Sequence, residues 1–151
     1  MYKHILIATD GSELAGRALA HGLALAKEVK ASVTLVTVTQ PWSALNLAHE
    51  VRLGHPDPIH QFEDIATASA KVILDAAVQK AKIAGVDCEF VHVPDQHPAE
   101  GIIAIAEKKG CDLIVMASHG RRAVGRLLLG SQVSEVLAHS KVPALIVVAP
   151  V

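Results

Sequence analysis

The residues best suited to chemistry lie between positions 116 and 137, in the stretch MASHGRRAVGRLLLGSQVSEVL. Gly120 and Gly130 are separated by nine residues, and Ser131 begins a run with helical spacing. Glycine leaves backbone N–H groups open to an anion, and a helix start adds unpaired N–H groups and the positive end of its dipole. Three arginines add positive charge to the same segment: Arg121, Arg122 and Arg126. This combination predicts a binding site for a phosphate chain.

A structural interpretation of the same segment is a plain helix connection, with Ser131 as the N-cap and the arginines solvated. Two common phosphate-binding motifs are disfavoured. Arg126 and Leu127 stand where a Walker loop needs Lys and Ser/Thr, which argues against a Walker-type NTPase. No G-x-G-x-x-G follows the first apolar run, so the usual dinucleotide fingerprint is missing. Composition alone leaves the phosphate site and the plain connection open.

Two further side chains are candidates for contacting a nucleotide. Asp10 ends the first apolar run, and its carboxylate would repel phosphates unless it faces ribose hydroxyls or shares a divalent ion. Glu13, three residues later, also makes a capping-box pattern for the first helix, and the two roles are not exclusive. His119 can donate to a phosphate oxygen when it is protonated, but no partner for it as a catalytic base is visible. We therefore predict no catalytic residue.

The remaining histidines and the cysteines do not predict a metal centre. His49, His55 and His60 match no compact metal template, and no cysteine lies near them. Cys88 and Cys111 fall on or beside apolar runs, in which cysteine usually acts as a small apolar residue. We predict neither a metal site nor a disulfide framework.

Length and charge limit the classes of partner. The chain has 151 residues and a net charge of −1, which fits a single domain over residues 1–151 without a global basic field. Nucleic-acid binding is therefore not expected. No run of eighteen apolar residues occurs, and the first apolar run is too short for a signal peptide. We expect a cytoplasmic protein without membrane insertion.

Five short apolar runs rich in Val and Ile predict parallel strands covered on both faces: residues 4–9, 32–38, 88–93, 112–118 and 144–149. Four stretches with helical spacing lie between them. The alternation predicts an α/β fold, a doubly wound five-stranded parallel sheet with helices on both faces. The apolar face of the second helical stretch is expected at Phe62, Ile65, Ala66, Val72, Ile73 and Ala76.

Two features of the predicted elements stand out. Gly16 and Gly22 lower the helix propensity of the first helical stretch, which is plausible if that helix approaches the sheet closely. Residues 39–60 contain three prolines and are predicted to be a long loop, either a functional flap or an exposed insertion. Trp42 in this loop would either stack on a base or anchor packing.

In a sheet of this kind, ligands bind outside the carboxyl ends of the strands. ATDGS follows the first strand and MASHG follows the fourth, so both segments should lie at this mouth. The predicted mouth therefore includes Ala8, Thr9 and Asp10 from the first segment. From the second it includes Met116 and Ala117, next to the phosphate segment.

These residues carry a resemblance. ILIATDGSE, GRRAVGRLLLGS and KVPALIVV resemble the universal stress protein family, with a matching order of elements over essentially the whole chain. The nucleotide-binding members carry a glycine, two residues, a glycine, nine residues, then glycine and Ser/Thr. Gly120, Gly130 and Ser131 match the second half of this pattern, whereas Ala117 stands at the first glycine. The added methyl group would strain any positive φ there, which predicts weakened binding.

The resemblance implies ATP or a related adenine nucleotide, with Mg or Mn on its phosphate oxygens if a metal ion accompanies it. Gly120, Gly130, Ser131 and the amides of Gln132 and Val133 would surround the phosphates. Val38 would present its backbone to adenine. The resemblance also implies a homodimer through the final strand, residues 143–149, which as an apolar terminal strand is expected at a sheet edge.

Our hypothesis is an ATP-binding, dimeric regulatory or stress-response protein in which occupancy changes residues 39–60 and thereby contacts with an unidentified protein. We expect slow ATP hydrolysis at most. The alternative is a dimeric scaffold of the same fold with weak or lost nucleotide binding, for which Ala117 is the evidence. An adenylyl-transferring enzyme would need an H-x-G-H signature after the first strand, and ATDGSE does not contain one.

Overall fold

The computed structural model describes residues 1–118, 121–123 and 126–149, and only the backbone of residues 121–123 and 126–128. Its central sheet contains five parallel strands in the order β3-β2-β1-β4-β7. These are β1 (His4–Ala8), β2 (Ser32–Val38), β3 (Cys88–Val93), β4 (Leu113–Ser118) and β7 (Ala144–Val148). Two short strands, β5 (Arg121–Ala123) and β6 (Arg126–Leu128), pair antiparallel to each other.

Five helices accompany the sheet: α1 (Glu13–Val29), α2 (Ala44–Arg52), α3 (Pro58–Ala84), α4 (Pro98–Lys109) and α5 (Ser131–His139). Side chains of α1 and α3 form one core cluster with the sheet, and side chains of α4 and α5 form the other. The predicted doubly wound parallel α/β sheet, with helices on both faces, is confirmed.

Strand β1 shows why the apolar runs are continuous rather than alternating. Ile5 and Ile7 belong to the core cluster of α1 and α3, whereas Leu6 between them belongs to the cluster of α4 and α5. All three side chains are 0% exposed. Because both faces of the strand are covered at these three positions, all three side chains are apolar.

The close approach of α1 to the sheet occurs at one of the two glycines. A Cβ atom at Gly22 would lie 2.7 Å from Cδ1 of Ile7 and 3.4 Å from Cγ1 of Val115. A Cβ atom at Gly16 would meet only Nζ of Lys80, at 3.8 Å. The prediction is therefore confirmed for Gly22 and wrong for Gly16.

Residues 39–60 are not a loop throughout. Ser43 caps α2 by a capping box with Asn46, and α3 begins at Pro58 after the N-cap Asp57. Both helix starts use ordinary signals, a Ser three residues before an amide side chain and an Asp before proline. The three prolines led to the prediction of a loop, since proline breaks a helix when it lies inside one. In the structure the prolines lie before or at the helix starts, where they are compatible with both helices.

The predicted apolar face of α3 also needs correction. Ile65 and Val72 are 51% and 70% exposed, Ala76 is exposed, and Phe62, Ala66 and Ile73 are half-buried. The buried stripe is instead Ala70, Leu74, Ala77 and Ala81. Alanine lets a helix backbone lie close to a sheet, so the small residues mark the packed face better than the bulky ones do.

Within the described residues, none of the helices has the length and apolar character needed to cross a membrane.

Candidate functional site

A cavity of about 350 Å³ lies at the carboxyl ends of β1 and β4. In the sheet, β1 lies between β2, the next strand along the chain, and β4. The order of strands reverses between β1 and β4, and ligands bind at such a topological switch point. Most of the predicted site residues line this cavity: Ala8, Thr9, Asp10, Val38, Met116, Ala117, Gly130, Ser131, Gln132 and Val133.

Three predicted site residues cannot be placed in this way. His119 and Gly120 lie outside the described residues. The backbone of Arg121 belongs to β5, and its side chain lies outside the described part of the chain. Their participation stays a prediction.

The first turn of α5 forms one wall of the cavity. Gly130 is the N-cap, with φ −61° and ψ 157°, and supplies no side-chain hydrogen bond to the helix. Ser131 is thus the first helical residue, and the alternative that made it the N-cap is wrong. Since φ is negative at Gly130, glycine is not needed there for its backbone freedom. Its contribution is the missing side chain, which leaves the N–H groups of the first turn accessible to an anion.

Ser118 fixes the position of this helix start. Its hydroxyl oxygen accepts a hydrogen bond of 3.0 Å from the N–H of Gly130, and the residue is 3% exposed. The bond joins the end of β4 to the start of α5 across the mouth of the cavity. Ser118 was not among the predicted site residues, although a serine at the end of an apolar strand was the available signal.

A second helix start meets the first. Pro98 lines the cavity at the beginning of α4, whose N-cap His97 makes no side-chain capping bond. Oε1 of Gln132 accepts a hydrogen bond of 2.9 Å from the N–H of Ala99 instead. Gln132 therefore caps α4 from α5 and holds the two N-termini together. This pairing has no signature in sequence, because the partners are 33 residues apart.

The third helix start, that of α1, differs from the predicted capping box. Ser12 is the N-cap, and its hydroxyl accepts from the N–H of Ala15 at 3.2 Å. Asp10 accepts from the N–H of Ser12 at 2.9 Å through Oδ1. Gly11 between them has φ +80°, a value that glycine adopts without strain and that lets the chain turn back tightly. Asp10 is thus placed at the exposed rim, able to accept a further hydrogen bond.

Ala117 adopts regular strand geometry. It lies opposite Val147 in the ladder of β4 and β7, and its side chain packs against the core cluster of α1 and α3. In the part of the chain that the structure describes, the non-glycine residues with positive φ are Lys30 and Asp95. The strain expected at Ala117 is therefore absent, and the weakening predicted from it loses its conformational basis.

His55, His60 and the two cysteines are not among the described residues that line this cavity. His55 pairs with Glu50, and His60 lies 3.6 Å from Asp64. No group of three or more His, Cys, Asp or Glu suited to a metal ion occurs within residues 1–118, 121–123 and 126–149. Burial raises the pKa of Cys111 to about 11 and raises that of Cys88 as well, so both thiols stay protonated at neutral pH.

Known proteins share both the sequence pattern and the fold. The model of the universal stress protein family matches residues 1–148. Universal stress protein MJ0531 of Methanocaldococcus jannaschii is 34% identical over 152 residues, which cover 99% of this chain and 84% of that protein. A universal stress protein of Thermus aquaticus is 33% identical over 147 residues, which cover 97% of this chain and 99% of the relative.

Solved structures of similar proteins have the same fold as this chain. The structure of MJ0577, from the same Methanocaldococcus species, has a TM-score of 0.78 and 29% identity, covering 100% of this chain and 99% of its own. A universal stress protein in complex with cAMP has a TM-score of 0.69 and 26% identity, covering 97% of this chain and 96% of its own. This chain belongs to the universal stress protein family.

Proposed function

We propose that this universal stress protein binds ATP in the cavity between β1 and β4 and acts as a nucleotide-dependent regulatory or stress-response protein. The observation that carries the proposal is the first turn of α5, which lines the cavity behind an N-cap without a side chain. Phosphate oxygens suit N–H groups presented in this way. The relative crystallised with cAMP supports an adenine nucleotide as the class of ligand.

The residues that line the cavity support positions for the ribose and the adenine. With the phosphates at the N–H groups of Ser131, Gln132 and Val133, ribose hydroxyls would donate to Asp10 at the rim. Adenine would lie in the apolar part of the cavity, beside Val38 and Met116. Met116 is buried, at 5% exposure. Charge-assisted hydrogen bonds contribute about 1.5–3 kcal/mol each. Several of them reach the ~8 kcal/mol that micromolar affinity requires, after the cost of association is subtracted.

Other parts of the proposal concern the ion, turnover and assembly. Magnesium or manganese would be held chiefly by the phosphate oxygens. We expect ATP hydrolysis to be slow at most, since we assign neither a nucleophile nor a general base.

β7 is an edge strand with half-buried side chains, which supports a homodimer through residues 143–149. We further propose a cytoplasmic location and a regulated protein partner.

The first experiment is mass spectrometry of nucleotide released by denaturing the purified protein, combined with calorimetric titration with ATP and magnesium. Bound adenine nucleotide, or a dissociation constant in the micromolar range, is the expected result. An empty protein with no heat of titration and no thermal stabilisation would contradict ATP binding. That outcome would favour the alternative function, a dimeric scaffold of the same fold.

The variant Ala117→Gly tests the departure from the glycine pattern. We expect the affinity for ATP to change by less than about threefold, because Ala117 has regular strand geometry and no positive φ to relieve. We also expect the variant to lose about 0.5–1 kcal/mol of stability from the flexibility of glycine in a strand. Calorimetry and urea denaturation measure the two effects. A large gain in affinity would mean that the methyl group itself obstructs the nucleotide.

A further inference from the structure

A second cavity of about 330 Å³ lies next to the proposed nucleotide site. It is lined by the segment after β2, the N-terminal part of α3, His92 near the end of β3 and the residues that follow β3. Gln40 lines both cavities. The residues that determine its chemistry are Trp42, Phe62, Glu63, His92 and Asp95.

The charge of this second cavity is negative. Glu63 and Asp95 contribute carboxylates, and neither Lys nor Arg occurs in the lining formed by the described residues. Burial lowers the pKa of His92, so its imidazole is neutral at pH 7 and adds no positive charge. A hydrogen bond of 2.8 Å joins Nε2 of His92 to the hydroxyl of Thr39. A ligand entering here meets two carboxylates, both on exposed residues, and no lysine or arginine of the described lining lies beside them.

The aromatic residues narrow the choice of cation. Trp42 and Phe62 both line the cavity, and the faces of aromatic rings attract cations that shed water easily. A metal ion would need several oxygen, nitrogen or sulfur ligands, and the described residues contain no group of three that fits one. Aromatic rings with two carboxylates suit an alkylammonium group instead.

We propose that this cavity is a second ligand site, which takes a small organic cation bearing an ammonium group. The proposal goes beyond nucleotide binding and does not depend on it, since Gln40 is the one residue that the two linings share among the described residues. The occupant makes contact with the aromatic rings of Trp42 and Phe62, and Glu63 and Asp95 balance its charge.

The test uses the intrinsic fluorescence of Trp42, the single tryptophan of the chain. The protein, free of nucleotide, is titrated with tetramethylammonium chloride at constant ionic strength, and in parallel with tert-butanol, a neutral molecule of similar shape. We expect a saturable change with the cation in the millimolar range, and binding of the alcohol weaker by about tenfold.

Two variants test whether the carboxylates of Glu63 and Asp95 contribute to binding of the cation. Glu63→Gln and Asp95→Asn should each weaken binding of the cation by about threefold or more. Asparagine tolerates the φ of +57° that Asp95 adopts, so the second variant keeps its backbone. Asp64→Asn is the matched control, because Asp64 is an exposed carboxylate of α3 outside the lining, and this variant should bind like the wild type.

Three results would overturn the proposal: no saturable change with tetramethylammonium, equal binding of tert-butanol, or unaltered cation affinity when both Glu63→Gln and Asp95→Asn are present. Since every titration is made without ATP, a failure here leaves the nucleotide proposal untouched. Failure of ATP binding likewise leaves this site standing.

Discussion

Gly130→Asp is expected to weaken ATP binding strongly while leaving the fold intact. Gly130 has the extended conformation of an ordinary N-cap, and a Cβ atom there would lie 3.6 Å from Oγ of Ser118, an ordinary contact. Aspartate is a preferred N-cap whose carboxylate accepts from the first-turn N–H groups. The carboxylate would occupy the N–H groups that we assign to the phosphates, and its negative charge would repel the phosphates. We expect affinity to fall by about 100-fold, or ~2.7 kcal/mol, as measured by calorimetry.

Gly130→Asn is the control of equal size. Asparagine caps as well as aspartate but carries no charge, so it should reduce affinity less, and the difference between the variants isolates the electrostatic part. The melting temperature of both variants should equal or slightly exceed that of the wild type, because each gains a capping side chain. Wild-type affinity in Gly130→Asp would show that the phosphates bind elsewhere.

Gly22→Leu is expected to cause the largest loss of stability. Its Cβ atom alone would lie 2.7 Å from Cδ1 of Ile7, a side chain that is 0% exposed in the core. Overpacking of this kind costs about 3 kcal/mol. For a chain of this length that loss lowers the melting temperature by roughly 6–12 °C. Thermal and urea denaturation followed by circular dichroism measure it.

Gly16→Leu provides the matched comparison in the same helix. A Cβ atom at Gly16 meets only the mobile end of Lys80, and leucine has a higher helix propensity than glycine. This variant should be as stable as the wild type or more stable by about 0.5 kcal/mol. Equal destabilisation by both substitutions would mean that α1 does not approach the sheet at Gly22.

The three central strands, β1, β2 and β4, could be predicted from sequence because they are buried on both faces. The expectation of two covered faces was wrong for the edge strand β3, in which Phe90 is 58% exposed. β1 is apolar at every core position, and a short continuous apolar run is typical of a strand covered on both sides. The rule that ligands bind at the carboxyl ends of strands then brought Thr9, Asp10 and Met116 into one predicted mouth, and all three line the observed cavity. These predictions depend on local composition and strand direction, which the sequence records directly.

The missed features depend on how elements approach one another. The packed face of α3 consists mainly of alanines, so hydrophobic size pointed to Ile65 and Val72, which are exposed. The bonds from Gly130 to Ser118 and from Ala99 to Gln132 join polar groups of different elements. A serine or glutamine in sequence has many potential partners, and only tertiary packing selects one.

The central position of β1 affects how a newly made chain reaches this structure. β1 pairs with β2, which is synthesised soon after it, and with β4, which emerges only at Leu113. Long-range pairings of parallel strands form slowly, because a long loop must close first. A ribosome-bound chain that already contains β1, α1 and β2 therefore still exposes one side of β1 and cannot form the cavity. The proposed nucleotide site can therefore form only late in synthesis, after β4 and α5 have been made.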